Sequence, residues 1–162
     1  MRFCISMLAL SAVLFCISVV IGDETSDLGF VRMMGYFLFY LVVTFEIIKQ
    51  VWYATEVNKN VIFGLMSGYI SLGLIGFFIC ISIELQAPGS FQGGLLDTTG
   101  HAPVLAEQLM YFSFITLMTI GFGDILPVTV LAQKAAMFIG LVGQFYLVII
   151  TAIVVGKFLQ QK

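Results

Sequence analysis

The sequence predicts an all-α membrane protein: four transmembrane helices, with a shorter re-entrant helix and loop between the third and fourth. Three observations predict it. Hydrophobic residues make up 60% of the 162 residues and charged ones 10%, and mean hydropathy is +1.10. A soluble chain of this size has too little interior to hide so much apolar surface. Four stretches reach the roughly 20 largely apolar residues that a helix needs to cross the hydrocarbon. Between the last two lies an apolar segment too short to cross, followed by a loop rich in glycine.

The first stretch, residues 3–21, follows Arg2 as the apolar part of a signal peptide would. It is long for one and ends without a small-x-small cleavage site, so it reads as a span. The second is 30–53. Its Glu46 lies ~24 Å from Phe30 at ~1.5 Å per residue, near the inner edge of a core ~30 Å thick, where it can snorkel beside Lys49. Trp52 and Tyr53 follow, where an aromatic belt belongs. The third stretch, 61–83, carries no charge. Residues 86–103 are rich in Gly, Pro and Thr and form a connection. Residues 104–118 read as a helix only ~22 Å long, which must enter the membrane and stop partway. The fourth stretch, 128–158, has no charge between Lys134 and Lys157. Two units result. Residues 1–60 hold two N-terminal helices of unassigned role. Residues 61–162 hold an outer helix (61–85), a turret (86–103), a short helix (104–118), a loop (119–124) and an inner helix (128–159).

With the amino terminus cytoplasmic, Arg2, Lys49, Lys59, Lys157 and Lys162 fall inside, whereas Arg32 and Lys134 lie on or near the outer side. That distribution obeys the positive-inside rule and places both termini on the cytoplasmic side of the cell membrane. Asp23, Glu24, Asp27, Glu84, Asp97, Glu107 and Asp124 then make the outer face acidic, which concentrates cations there. Asp23, Glu24 and Asp27 read more simply as solvated loop charges. The net charge of -2 and the scattered basic residues exclude nucleic acid as a partner. Cys4, Cys16 and Cys80 all sit in apolar runs as small hydrophobes, so no disulfide is expected. The one histidine, His101, has no second histidine or cysteine at metal-ligand spacing, and no nucleophile motif is present; neither an enzyme nor a cofactor is expected. His101 is a solvated loop residue, with external proton sensing as the sharper alternative.

Thr119-Ile120-Gly121-Phe122-Gly123-Asp124, then Ile125-Leu126-Pro127, cannot continue the short helix, and non-helical backbone at this depth needs protein or water beside it rather than lipid. Glycines at alternate positions allow successive carbonyls to face one side, where they replace an ion's water. Ile120 and Phe122 are then expected to point away and pack behind the loop, with Thr119 adding a hydroxyl at the inner end. One loop supplies one wall, so several chains must surround a common axis. The nine residues Thr116-Leu117-Met118-Thr119-Ile120-Gly121-Phe122-Gly123-Asp124 resemble the selectivity-filter signature of potassium channels, the family that serves as the standard example of carbonyl coordination. The resemblance covers residues 61–159 and leaves out the first two spans.

The resemblance implies a homotetramer, three further copies joining this chain in the bilayer to pass K+ through the backbone of Thr119, Ile120, Gly121, Phe122 and Gly123. Thr116 and Asp124 would support the filter, and Tyr111, where the family often has an aromatic donor, would hydrogen-bond Asp124. Three positions depart from the commonest pattern: Phe122 for tyrosine, Met118 for a small or hydroxylated residue, and Ile115 where some members keep a carboxylate. In the inner helix, Gly143 resembles the family's bending glycine, against the plainer reading that Gly140 and Gly143 serve close helix packing. Tyr146, Ile150 and Thr151 are candidates to line the cavity below the filter, although helical spacing alone cannot choose the face. A voltage sensor needs several positive charges along one helix, and none is present. With no sizeable domain after Lys162, a gating domain is expected to be absent or to lie on a separate regulatory subunit. The alternatives are a channel of the same architecture passing Na+ and K+ alike, which an intact Gly121-Phe122-Gly123 argues against, and a non-conducting accessory subunit, which leaves the filter stretch unexplained.

Overall fold

The computed structural model describes residues 26–54, 57–94, 96 and 102–160. The first span expected from the sequence, 3–21, and His101 lie outside the described residues.

Helix α1 runs Ser26–Tyr53 and α2 runs Lys59–Gln86. The break between them is set by Asn58, whose side-chain oxygen accepts the Val61 N–H at 3.1 Å and caps the first turn of α2, satisfying a donor that a helix start leaves unpaired. A two-residue strand β1, Phe91–Gln92, follows, then helix α3, Ala102–Leu117, and strand β2, Leu126–Pro127. The inner helix begins as α4, Val130–Phe145, passes through a π-helical turn over Tyr146–Ile150, and resumes as α5, Thr151–Gln160. It starts two residues later than the apolar pattern suggests, because the Thr129 hydroxyl accepts the Ala132 N–H at 3.4 Å as the cap. The chain is mostly helical, yet not purely so: β1 pairs antiparallel with β2, Phe91 opposite Pro127 and Gln92 opposite Leu126.

Among the described residues, three helical stretches are long and apolar enough to cross a membrane: Met34–Tyr53, Val61–Gln86 and Val130–Gln160. This is a membrane protein. Helix α3 is shorter, and at ~1.5 Å per residue its 16 residues reach ~24 Å, less than the ~30 Å core.

Helix α2 is the organiser, packing against α1, α3 and α4. The core at their junction holds Cys80, Phe91, Leu109, Phe112, Leu117, Ile125, Ala132 and Ile139. Where α2 and α3 cross, the Ser113 hydroxyl donates to the Gly73 carbonyl at 2.8 Å, which gives a buried polar group its partner. A second cluster of Val51, Tyr146 and Ile150 ties the lower inner helix to α1 and α2. Phe45, Phe63, Met66 and Phe158 are exposed, as side chains facing hydrocarbon are.

Candidate functional site

The site begins where α3 ends. Leu109 and Leu117 are fully buried and fix the helix at both its middle and its end. The last carbonyls of a helix lack intrahelical partners, and here the chain folds back to supply them. Phe114 O accepts the Met118 N–H at 2.9 Å, Thr116 O accepts the Thr119 N–H at 3.0 Å, and Ile115 O accepts both Ile120 N–H at 2.9 Å and Gly121 N–H at 3.4 Å. The Leu117 carbonyl accepts the Tyr69 hydroxyl of α2 at 3.2 Å. The loop is therefore sewn to the end of α3 through its N–H groups.

Positive φ occurs at Thr119 (57°), Gly121 (56°) and Gly123 (79°), with Ile120 and Phe122 between them in the ordinary region. Alternation of this kind turns successive N–H groups to one side. Across a trans peptide the carbonyl points opposite its N–H, so an edge of oxygens is offered on the other side. Gly121 and Gly123 adopt this backbone freely. Thr119 is β-branched and does so at a cost of ~1–3 kcal/mol, the kind of local strain that accumulates at functional sites.

At the far end Tyr111 O–H donates to Asp124 Oδ2 at 2.6 Å, and the Ile125 N–H donates to Asp124 Oδ1 at 3.1 Å. The Asp124 hydrogen bond first, then desolvation and the carboxylate's charge, raise the Tyr111 pKa above 10.0. Beyond it Ile125 is buried, and the β1–β2 pair holds the exit. Ser90 O accepts the Val128 N–H at 2.9 Å. Strand β1 is in turn set by Glu84 at the end of α2, whose carboxylate accepts the Gly89 N–H at 2.6 Å and the Phe91 N–H at 3.0 Å.

Residues 119–123 are all exposed, and Phe122 is 70% exposed. Within one chain Ile120 and Phe122 do not pack behind the loop as expected from the sequence, because the protomer offers no wall there. Thr116 is half-buried and contributes its carbonyl. Gly143 is buried, and a Cβ placed on it runs into the carbonyl oxygen of Leu117; close packing onto the end of α3 thus explains this glycine. Of the three cavity-lining candidates, two need correction. Tyr146 and Ile150 are buried within the protomer, and Tyr146 O–H donates to the Leu65 carbonyl at 2.7 Å. Their face of the inner helix turns to α2, while Thr151 is exposed.

The sequence reading placed Glu84 only among the acidic residues of the outer face, whereas it is buried and holds β1; the part of Ser90 and the β1–β2 pair escaped it. The available signal was a lone carboxylate ending an otherwise uncharged span. Among the described residues no group of three or more His, Cys, Asp or Glu side chains is arranged to hold a metal ion.

Residues 91–161 match the family described as ion channel. This portion is ion-channel-like. The matched residues start at β1 and contain α3, the loop, β2 and the inner helix, which are the parts assembled above. No curated protein and no solved structure matches the chain.

Proposed function

We propose that the chain is the pore-forming subunit of a potassium-selective channel, four copies of which surround one axis and pass K+ down its electrochemical gradient. The observation that carries this reading is the alternation of positive φ at Thr119, Gly121 and Gly123, with the N–H groups of Ile120 and Gly121 bonded back to Ile115. The carbonyl edge is free to replace an ion's hydration shell, in the manner of carbonyl filters. Non-helical backbone cannot face lipid, since its polar groups would go unpaired. Exposed residues 119–123 therefore need a water-filled path, and a path needs walls on every side. Three further copies supply them, and neighbouring chains cover Ile120 and Phe122.

In this mechanism the protein makes and breaks no covalent bond. Tyr111 and Asp124 hold the outer end of the filter, the strained Thr119 its inner end, and α3 its back. K+ sheds water into the ring of carbonyls and is passed from one site to the next.

The test is K+ flux from liposomes holding the purified chain, compared with Gly121→Ala. Alanine is strained at φ of 56°, so the variant is expected to insert and assemble yet lose flux by at least tenfold, about 1.4 kcal/mol of strain being enough. Equal flux in both proteins contradicts the reading.

A further inference from the structure

We propose that the protein binds an anionic phospholipid of the surrounding bilayer in a groove between α1, α2 and α4, with an acyl chain along the groove and the headgroup on Lys134. Two cavities of about 390 Å³ each share Phe37, Ile79 and Phe138 as walls, so they lie end to end along the same helices. Each falls in the range of ~300–1,000 Å³ typical of ligand sites. The mouth is formed by Met34, Ser82 and Lys134, and the deep end by Thr44, Ile48 and Leu117, behind the end of α3. Along α1, Met34 to Ile48 is ~21 Å at ~1.5 Å per residue, which exceeds half of a ~30 Å hydrocarbon core. The groove thus has the depth of one leaflet, on the side of the membrane where Asp124 lies.

Charge selects the occupant. Lys134 is exposed and makes no hydrogen bond or ion pair among the described residues. Glu84, next to the groove wall at Ile83, has both oxygens engaged by the Gly89 and Phe91 N–H groups. Ser82 spends its hydroxyl proton on the Phe78 carbonyl at 2.6 Å. What the mouth offers is a cation above an apolar slot, complementary to an anionic headgroup on a hydrocarbon chain, with the lysine stem free to reach the headgroup level.

The test is native mass spectrometry of the full chain taken from phosphatidylcholine vesicles with and without phosphatidylglycerol. Lipid retention is read without current, so the proposal and the conduction reading fail separately. Phosphatidylglycerol is expected to be retained in preference. Lys134→Gln should weaken retention about fivefold, the worth of one lysine near a membrane surface, and Lys134→Arg should keep it. Leu131→Trp, at an exposed position beside the mouth, should displace the lipid without disturbing the core. Equal retention of the two lipids, or retention unchanged by both Lys134→Gln and Leu131→Trp, overturns the proposal.

Discussion

The hydroxyl of Tyr111 serves as a brace only while it keeps its proton. Its folded pKa is raised above 10.0, chiefly by the bond to Asp124. For a group raised on folding, the bond's contribution is fully present below the unfolded value and is lost as pH rises through the folded one. The brace is therefore intact at neutral pH and fails in strong alkali. Tyr111→Phe is expected to speed the decline of current during sustained activity at neutral pH and to remove this alkaline component. Unchanged kinetics would show that the bond does not steady the filter. A second side chain behaves oppositely. Thr44 is buried, and its hydroxyl has no hydrogen-bond partner among the described residues, though a threonine in a membrane helix ordinarily bonds back to its own turn. An unpaired buried hydroxyl costs ~1–3 kcal/mol. Thr44→Val is accordingly expected to raise the Tm of the detergent-solubilised protein, and a lowered Tm would mean that the hydroxyl has a partner.

Among the elements, those that follow a local rule were legible and those that depend on distant pairing were not. The charge-free run of α2, the short apolar α3 and the glycine spacing of the loop are each written within one stretch of chain. The β1–β2 pair is two residues against two, brought together across α3, and no alternation so short stands out from a connection. The face of the inner helix was hidden for another reason. Periodicity gives spacing without phase: Tyr146 and Ile150 continue, at ordinary helical spacing, the buried stripe of Ala132, Ala135, Ile139 and Gly143, which is how they come to face α2. Lys157 likewise finds an unforeseen role, donating to the carbonyls of Val51, Trp52 and Ala54, where a cation suits the end of α1. Gly143 tests the packing at this scale. A Cβ there meets Leu117 backbone, so Gly143→Ala is expected to cost ~1–3 kcal/mol of stability by overpacking. A variant as stable as the parent, measured by chemical denaturation, would return the position to the hinge reading.

For the whole molecule, the account joins a rigid support to an open front. Behind the loop, the α3 carbonyls, the Tyr111–Asp124 bond and the β1–β2 pair held by Glu84 leave little freedom. In front, residues 119–123 face outward from the protomer and make sense as one wall of an assembly. Membrane residence and the ion-channel-like character of residues 91–161 were legible because lipid imposes length and glycine imposes spacing. The assembly itself is an inference from a single wall. Reversal potential tests it most directly, measured on the purified chain in a bilayer with potassium on one side and sodium replacing most of it on the other. The account predicts a value close to the potassium equilibrium potential, whereas a clear current reversing near zero would contradict potassium selectivity.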